Sequence, residues 1–143
     1  MKKNKQELSY YGLLLLSYLK ESHPEKAEDK EFIKVRSELA AETYSSAIAN
    51  GYTHQSAEEI TSAILYKNLL FSRYNTIRNI LINEFTLIPM ERVNSLAMEL
   101  ITPCEEVFSE YPIDDSFSGS PEYTMLYTEL VGFIDLWREE NEL

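Results

Sequence analysis

The feature that most constrains this chain is the spacing of its apolar residues, which recur every three to four positions in segment after segment. Phe32, Val35, Leu39 and Ile48 follow that rhythm, as do Ile60, Ala63, Ile64, Leu69 and Leu70. It returns in Ile77, Ile80 and Leu81, in Val93, Leu96, Ala97, Leu100 and Ile101, and in Met125/Leu126, Leu130, Phe133/Ile134 and Trp137. A period of 3.6 residues puts each set on one side of a helix. No window of useful length alternates in the period-two manner of a half-buried strand. Four Gly and five Pro also leave little material for hairpins. The expectation is an all-α fold: a single domain over residues 1–143, built as a bundle of six or seven helices. A chain of this length falls within the usual span of one domain, roughly 100–200 residues, and can bury about 68% of its unfolded surface.

The punctuation between these segments sets provisional boundaries. A first helix is expected from Lys5 to Glu21, apolar almost all round between Tyr10 and Leu19, so that other helices would cover it on several sides. Ser22-His23-Pro24 ends it, because proline disfavours helical geometry in the preceding residue. A second begins near Asp29, has alanines on its inner side, and stops at Asn50-Gly51, a natural left-handed terminus. Ser56-Ala57-Glu58-Glu59 reads as a capping box. The pattern loosens over residues 72–76 and resumes at Ile77, so either a break or one helix running to Phe85 is compatible with it. Ile88-Pro89 opens the next helix, since a first-turn proline loses no helical hydrogen bond. Thr102-Pro103-Cys104-Glu105 is expected to start a further short helix to Glu110. Tyr111 to Ser120 reads as the one long loop, and Ser120-Pro121-Glu122 as the cap of the last helix. No internal repeat of solenoid length is present.

The charge is unevenly placed. The chain carries 24 Asp and Glu against 13 Lys and Arg, a net charge of −11. Residues 1–98 are balanced, whereas residues 99–143 contain 12 acids and a single base, Arg138. This argues against direct nucleic-acid binding, which needs a basic face. It supplies instead a directed negative field that bears on partner choice. The solvated acidic surface can serve solubility alone. As a docking surface for a basic protein partner, its candidate residues are Glu105, Glu106, Glu110, Asp114, Asp115, Glu139 and Glu140.

Lys2, Lys3 and Lys5 before the apolar run suggest a secretory leader, but Glu7 and the Lys20-Glu21-Ser22-His23-Pro24 that follows do not fit one. The run is also shorter than the ~20 residues a membrane span needs. With one cysteine, Cys104, and no export signal, the expected location is the cytoplasm, with no membrane association.

Catalytic and metal chemistry find little support. His23 and His54 lie in expected turns and belong to no ligand spacing, so they read as exposed turn residues. Cys104, in the first turn of its expected helix, has the macrodipole to lower its pKa and Glu105 and Glu106 to raise it, and reads as a half-buried structural thiol. Asp114, Ser116, Ser118 and Gly119 mimic the start of a calcium loop, but Met125 stands where a bidentate Glu is required. Consecutive pairs such as Glu58/Glu59, Glu105/Glu106 and Glu139/Glu140 splay about 100° apart on a helix and make no acid/base dyad. No catalytic residue, metal or cofactor is therefore assigned, and a non-enzymatic protein is expected. The ten tyrosines leave one alternative open: a small-ligand pocket between helices in which Tyr11 and Tyr18 orient the ligand.

Three stretches carry a family likeness: Leu8 to Leu19; Gly51-Tyr52 with Ala63-Ile64-Leu65 and Phe71 to Thr76; and Tyr123 to Leu130. The chain resembles, over nearly its whole length, a small all-helical family of unknown function from Bacteroidetes. The resemblance implies an association with mobile, conjugative-transposon-type DNA and carries no activity or site residues. The leading expectation is thus an interaction protein acting through its acidic C-terminal third, with self-association a further possibility. An acidic DNA mimic and the ligand binder stand as alternatives.

Overall fold

In the computed structural model, which describes residues 9–141, local capping chemistry sets most of the helix boundaries. Among these residues are six α-helices, two 3₁₀ turns and no strand, so the chain is all-α as expected. It divides into two compact units, one ending at Lys67 and one beginning at Asn68. Lys2, Lys3, Lys5, Glu7 and Glu142, along with the expected first turn of the first helix, lie outside the described residues.

In the first unit, α1 (Tyr10–Ser22) starts where the Ser9 side chain accepts the Gly12 N–H at 3.0 Å. It ends at His23, ahead of Pro24 and a 3₁₀ turn over Pro24–Lys26. The expected all-round cover of α1 is not found: Gly12, Leu15 and Leu19 are buried, but Leu13 is 55% exposed. His23 is likewise not an exposed turn residue. It is 3% exposed, its ring lies 5.9 Å from that of Tyr18, and its Nδ1 is 3.8 Å from Glu25.

α2 (Lys30–Ala49) begins at Asp29, whose carboxylate accepts the Phe32 N–H, and stops at Asn50 before Gly51 at φ +93°. It packs against both α1 and α3 (His54–Leu65). Its buried stripe is Ile33, Ser37, Ala40 and Ala47, whereas Val35 and Leu39, expected inside, face solvent. Small residues allow the close approach that a helix with two neighbours needs. The cap of α3 is Thr53, which accepts the Ser56 N–H at 3.1 Å, three residues before the expected capping box. The far end of α3 is held by Arg36, whose guanidinium donates to the carbonyls of Ile64, Leu65 and Lys67.

In the second unit, the break before Ile77 falls slightly ahead of its expected place. Asn68 takes a left-handed turn (φ 67°), and Ser72 caps α4 (Arg73–Glu84) by accepting the Asn75 N–H. α5 (Met90–Phe108) follows Pro89 and runs straight through Pro103, where a new helix was expected. An internal proline costs about 3 kcal/mol. Continuing the helix keeps Cys104, Val107 and Phe108 on the stripe begun by Val93, Leu96 and Leu100, and each large buried side chain contributes about 1.5–3 kcal/mol. Burial wins. A 3₁₀ turn over Phe117–Gly119 precedes α6 (Glu122–Asn141), whose Leu126, Leu130 and Ile134 complete the core against α4 and α5. Phe71 lies edge-on to Phe108, Phe117 and Tyr123 within this core.

Candidate functional site

The second unit, residues 68–143, contains 14 acids, four arginines and no lysine. Three of those arginines are turned onto groups of their own unit. Arg73 meets the Glu105 carboxylate through Nε at 2.9 Å, and its guanidinium lies over the Phe108 ring at 5.2 Å. Arg78 donates from Nε to Asn94 at 2.6 Å, and Arg138 lies over the Phe85 ring at 5.7 Å. Cations engaged in this way offer little to an approaching molecule, so the exposed charge of the unit is dominated by carboxylates.

The seven acidic residues singled out in the sequence separate into two kinds. Glu105, Asp114 and Asp115 have partners within the fold. Glu105 binds Arg73, and Asp114 accepts from the N–H and hydroxyl of Ser116. Asp115 accepts the N–H of Asn68 at 2.8 Å and that of Leu70 at 3.0 Å, bracing the turn that opens the unit. Glu106, Glu110, Glu139 and Glu140 face solvent.

These four do not form one patch. Tyr111 donates its hydroxyl to Glu129, and the charges of Glu129, Glu110 and Glu122 act on it, so Glu110 lies near the start of α6. Glu139 lies 17 residues beyond Glu122, about 25 Å along the axis at the usual helical rise. The hydrogen bond to Glu129, burial and these carboxylates together push the Tyr111 phenol up to about 12.

The two tyrosines proposed as ligand-orienting belong to the first unit. Tyr18 packs edge-on against Tyr66 at 4.9 Å, beside His23. Tyr11 is half-buried, and burial pushes its phenol upward, assisted by the charge of Glu58. It approaches Thr61, whose buried hydroxyl has no partner within hydrogen-bond geometry among the described residues. A shallow groove of about 370 Å³ does exist in this unit, between α2 and α3. Its lining includes Leu39, Glu42, Asn50, Tyr52 and Ile60, and neither Tyr11 nor Tyr18.

Sequence reasoning missed a small relay on the same unit. The Tyr44 hydroxyl is 2.7 Å from His54 Nδ1, and His54 Nε2 is 3.9 Å from Glu58. The i,i+4 spacing of His54 and Glu58 was a visible signal; the approach of Tyr44 across the turn was not. The order of groups matches a nucleophile, base and orienting acid, but the His54 side chain is 73% exposed and the Glu58 contact is long. The arrangement joins α2 to the start of α3. Cys104 is also not where it was expected: it lies near the end of α5 and is fully buried, and burial pushes its thiol up to about 12. Among the described residues, no group of three or more His, Cys, Asp or Glu is placed to hold a metal ion, and no helix is long and apolar enough to cross a membrane.

Comparison with known proteins supports the reading of the fold and leaves the chemistry open. Residues 3–143 match DUF1896, a domain of unknown function. The chain belongs to the DUF1896 family. A crystal structure of protein PG0816 from Porphyromonas gingivalis is 42% identical to this DUF1896 chain, with a TM-score of 0.90 over 97% of this chain and 95% of that one. No curated protein matches. The expected link to a helical Bacteroidetes family of unknown function is thus supported by the family match and by a neighbour from that group.

Proposed function

We propose that this DUF1896 protein is a non-enzymatic, cytoplasmic interaction module whose second unit binds a basic protein partner through exposed carboxylates. The observation that carries the reading is the engagement of Arg73, Arg78 and Arg138 by groups of their own unit, which leaves Glu106, Glu110, Glu139 and Glu140 as outward charge beside a single exposed base, Arg92. The association with mobile DNA that the resemblance implies supports a partner among proteins that handle DNA. Direct mimicry of DNA fits less well. α6 spreads Glu122, Glu129, Asp135, Glu139 and Glu140 over about 27 Å, where one DNA strand presents roughly one charge per 3.4 Å.

The test is a partner recovered from the native host, purified, and measured against wild-type protein and a variant with Glu106, Glu110, Glu139 and Glu140 changed to Gln. The reading expects wild-type affinity to fall steeply with salt and the variant to lose at least about tenfold at low salt. Equal affinity and equal salt dependence for the two proteins would refute it.

A further inference from the structure

We infer that the outward face of α6 is the docking strip for a basic amphipathic helix, an inference that rests on the carboxylate-surface reading and specifies its partner. α6 buries Leu126, Leu130 and Ile134, so the opposite side of the helix faces away from the core. At roughly 100° per residue, that side is centred on Met125, Thr128, Gly132 and Leu136. Met125 is 59% exposed and Leu136 is 61% exposed.

Gly132 lies between them, eleven residues into a 20-residue helix, with open space where a Cβ would stand. Glycine in a helix interior is destabilising relative to alanine, and no neighbour among the described residues requires it here. A second helix crossing at this point would make use of it, because a missing side chain lets another backbone come close. Glu122, Glu129 and Glu140 run along one flank of the strip, Asp135 lies on the other, and Glu139 closes its C-terminal end on the centre line.

The strip therefore presents two exposed apolar side chains, Met125 and Leu136, on either side of the small residues Thr128 and Gly132, framed by carboxylates on both flanks and at its C-terminal end. Its complement is a helix with a short apolar stripe edged by Lys or Arg, docked by the i/i+3/i+4/i+7 pattern of helix recognition. A second copy of this chain is a poor complement, since two such strips would bring carboxylate against carboxylate.

The test uses the full chain and a synthetic helical peptide of Lys, Ala and Leu, with lysines along both edges of a Leu/Ala stripe. Wild-type protein is expected to bind it at low salt and release it as salt rises. Gly132→Leu should weaken binding at least about tenfold by filling the crossing point. Leu136→Ser should weaken it also, by removing an apolar contact without changing charge, and serves if the first variant folds poorly. Glu59→Gln, a charge change in the first unit, should leave affinity within about twofold. Circular dichroism melts establish that each variant is folded.

Binding unchanged by both α6 variants but lost on neutralising Glu106 and Glu110 would overturn the α6 assignment and leave the carboxylate reading standing. No binding by wild-type protein to the peptide or to polylysine at low salt would overturn both. Self-association that strengthens with salt and is abolished by Gly132→Leu would assign the strip to a second copy and overturn the inference.

Discussion

Asp115 offers the sharpest separation of structural from surface carboxylates. Its two oxygens accept the backbone N–H groups of Leu70 and Asn68 at 3.0 and 2.8 Å, and Asn68 is held at φ 67°. A hydrogen bond to a charged group contributes about 1.5–3 kcal/mol net, and the partial exposure of this site brings each to the lower end or just below it. Asp115→Ala should therefore lose two such bonds, about 2–3 kcal/mol in all, and release the left-handed turn at Asn68. Asp115→Asn should lose somewhat less, because an amide can accept one N–H but turns its own N–H₂ toward the other. With about 2–4 °C per kcal/mol for a chain near this size, the alanine variant should melt roughly 5–10 °C below wild type. The assay is a urea titration with circular dichroism, and a thermal melt beside it. Glu106→Gln is the control: it removes a solvent-facing carboxylate and should change stability by less than about 0.5 kcal/mol. If Asp115→Ala also fell within about 0.5 kcal/mol of wild type, the bracing role would be wrong, and Asp115 would return to the set available to a partner.

Four further outcomes follow from single sites. Cys104, buried and with its thiol pushed up to about 12, should not react with Ellman's reagent near pH 8 in the native state and should react fully in urea; rapid native labelling would contradict its placement. Tyr111 is raised from 10.0 to about 12, so the stability it contributes is present below pH 10 and lost as pH rises from 10 toward 12; a titration at 295 nm should show a late-ionising phenol that Tyr111→Phe removes. Burial pushes the Glu25 carboxyl up, but the His23 ring 3.8 Å away, a backbone hydrogen bond and the charge of Lys26 outweigh it and hold it below its usual value. Its contribution is therefore present above the unfolded pKa, about 4.3, and lost as pH falls through the folded value; His23→Gln should flatten that acid limb in urea midpoints. Arg36→Met keeps an apolar stem but abandons the three carbonyls at the end of α3, and should cost about 2 kcal/mol in urea unfolding.

What the sequence disclosed and what it hid divide along one physical line. Asp29, Asn50-Gly51 and Pro89 were readable because a cap or a left-handed stop is decided within a few residues. Thr53 against Ser56 was harder, since both side chains can cap and stand three residues apart. Nothing local says which side of an apolar-all-round helix will find a neighbour, so the exposure of Leu13 on α1 could not be foreseen; on α2 the larger Val35 and Leu39 outweighed the smaller residues of the Ser37, Ala40 and Ala47 side that is buried. Pro103 misled for the opposite reason: its local preference was read correctly and then overruled by burial of Val107 and Phe108. The acidic bias of residues 99–143 was plain, but the division of its members was not. The role of Asp115 depends on amides more than 40 positions away in sequence, and that of Glu105 on Arg73.

This division changes what the acidic surface means. Had the carboxylates been spread for solubility alone, lysines could have been interspersed among them without harm, because mixed signs serve solubility and reduce self-repulsion. Residues 68–143 contain no lysine at all, and Arg73, Arg78 and Arg138 are drawn onto Glu105, Asn94 and Phe85. A unit that accepts the self-repulsion of 14 acids against four bases gives up stability by doing so. The exposed glycine at position 132 gives up stability as well, with no neighbour among the described residues that requires it. Both concessions are accounted for by the proposed docking of a basic helix, which offsets the charge repulsion and uses the open position at Gly132 together.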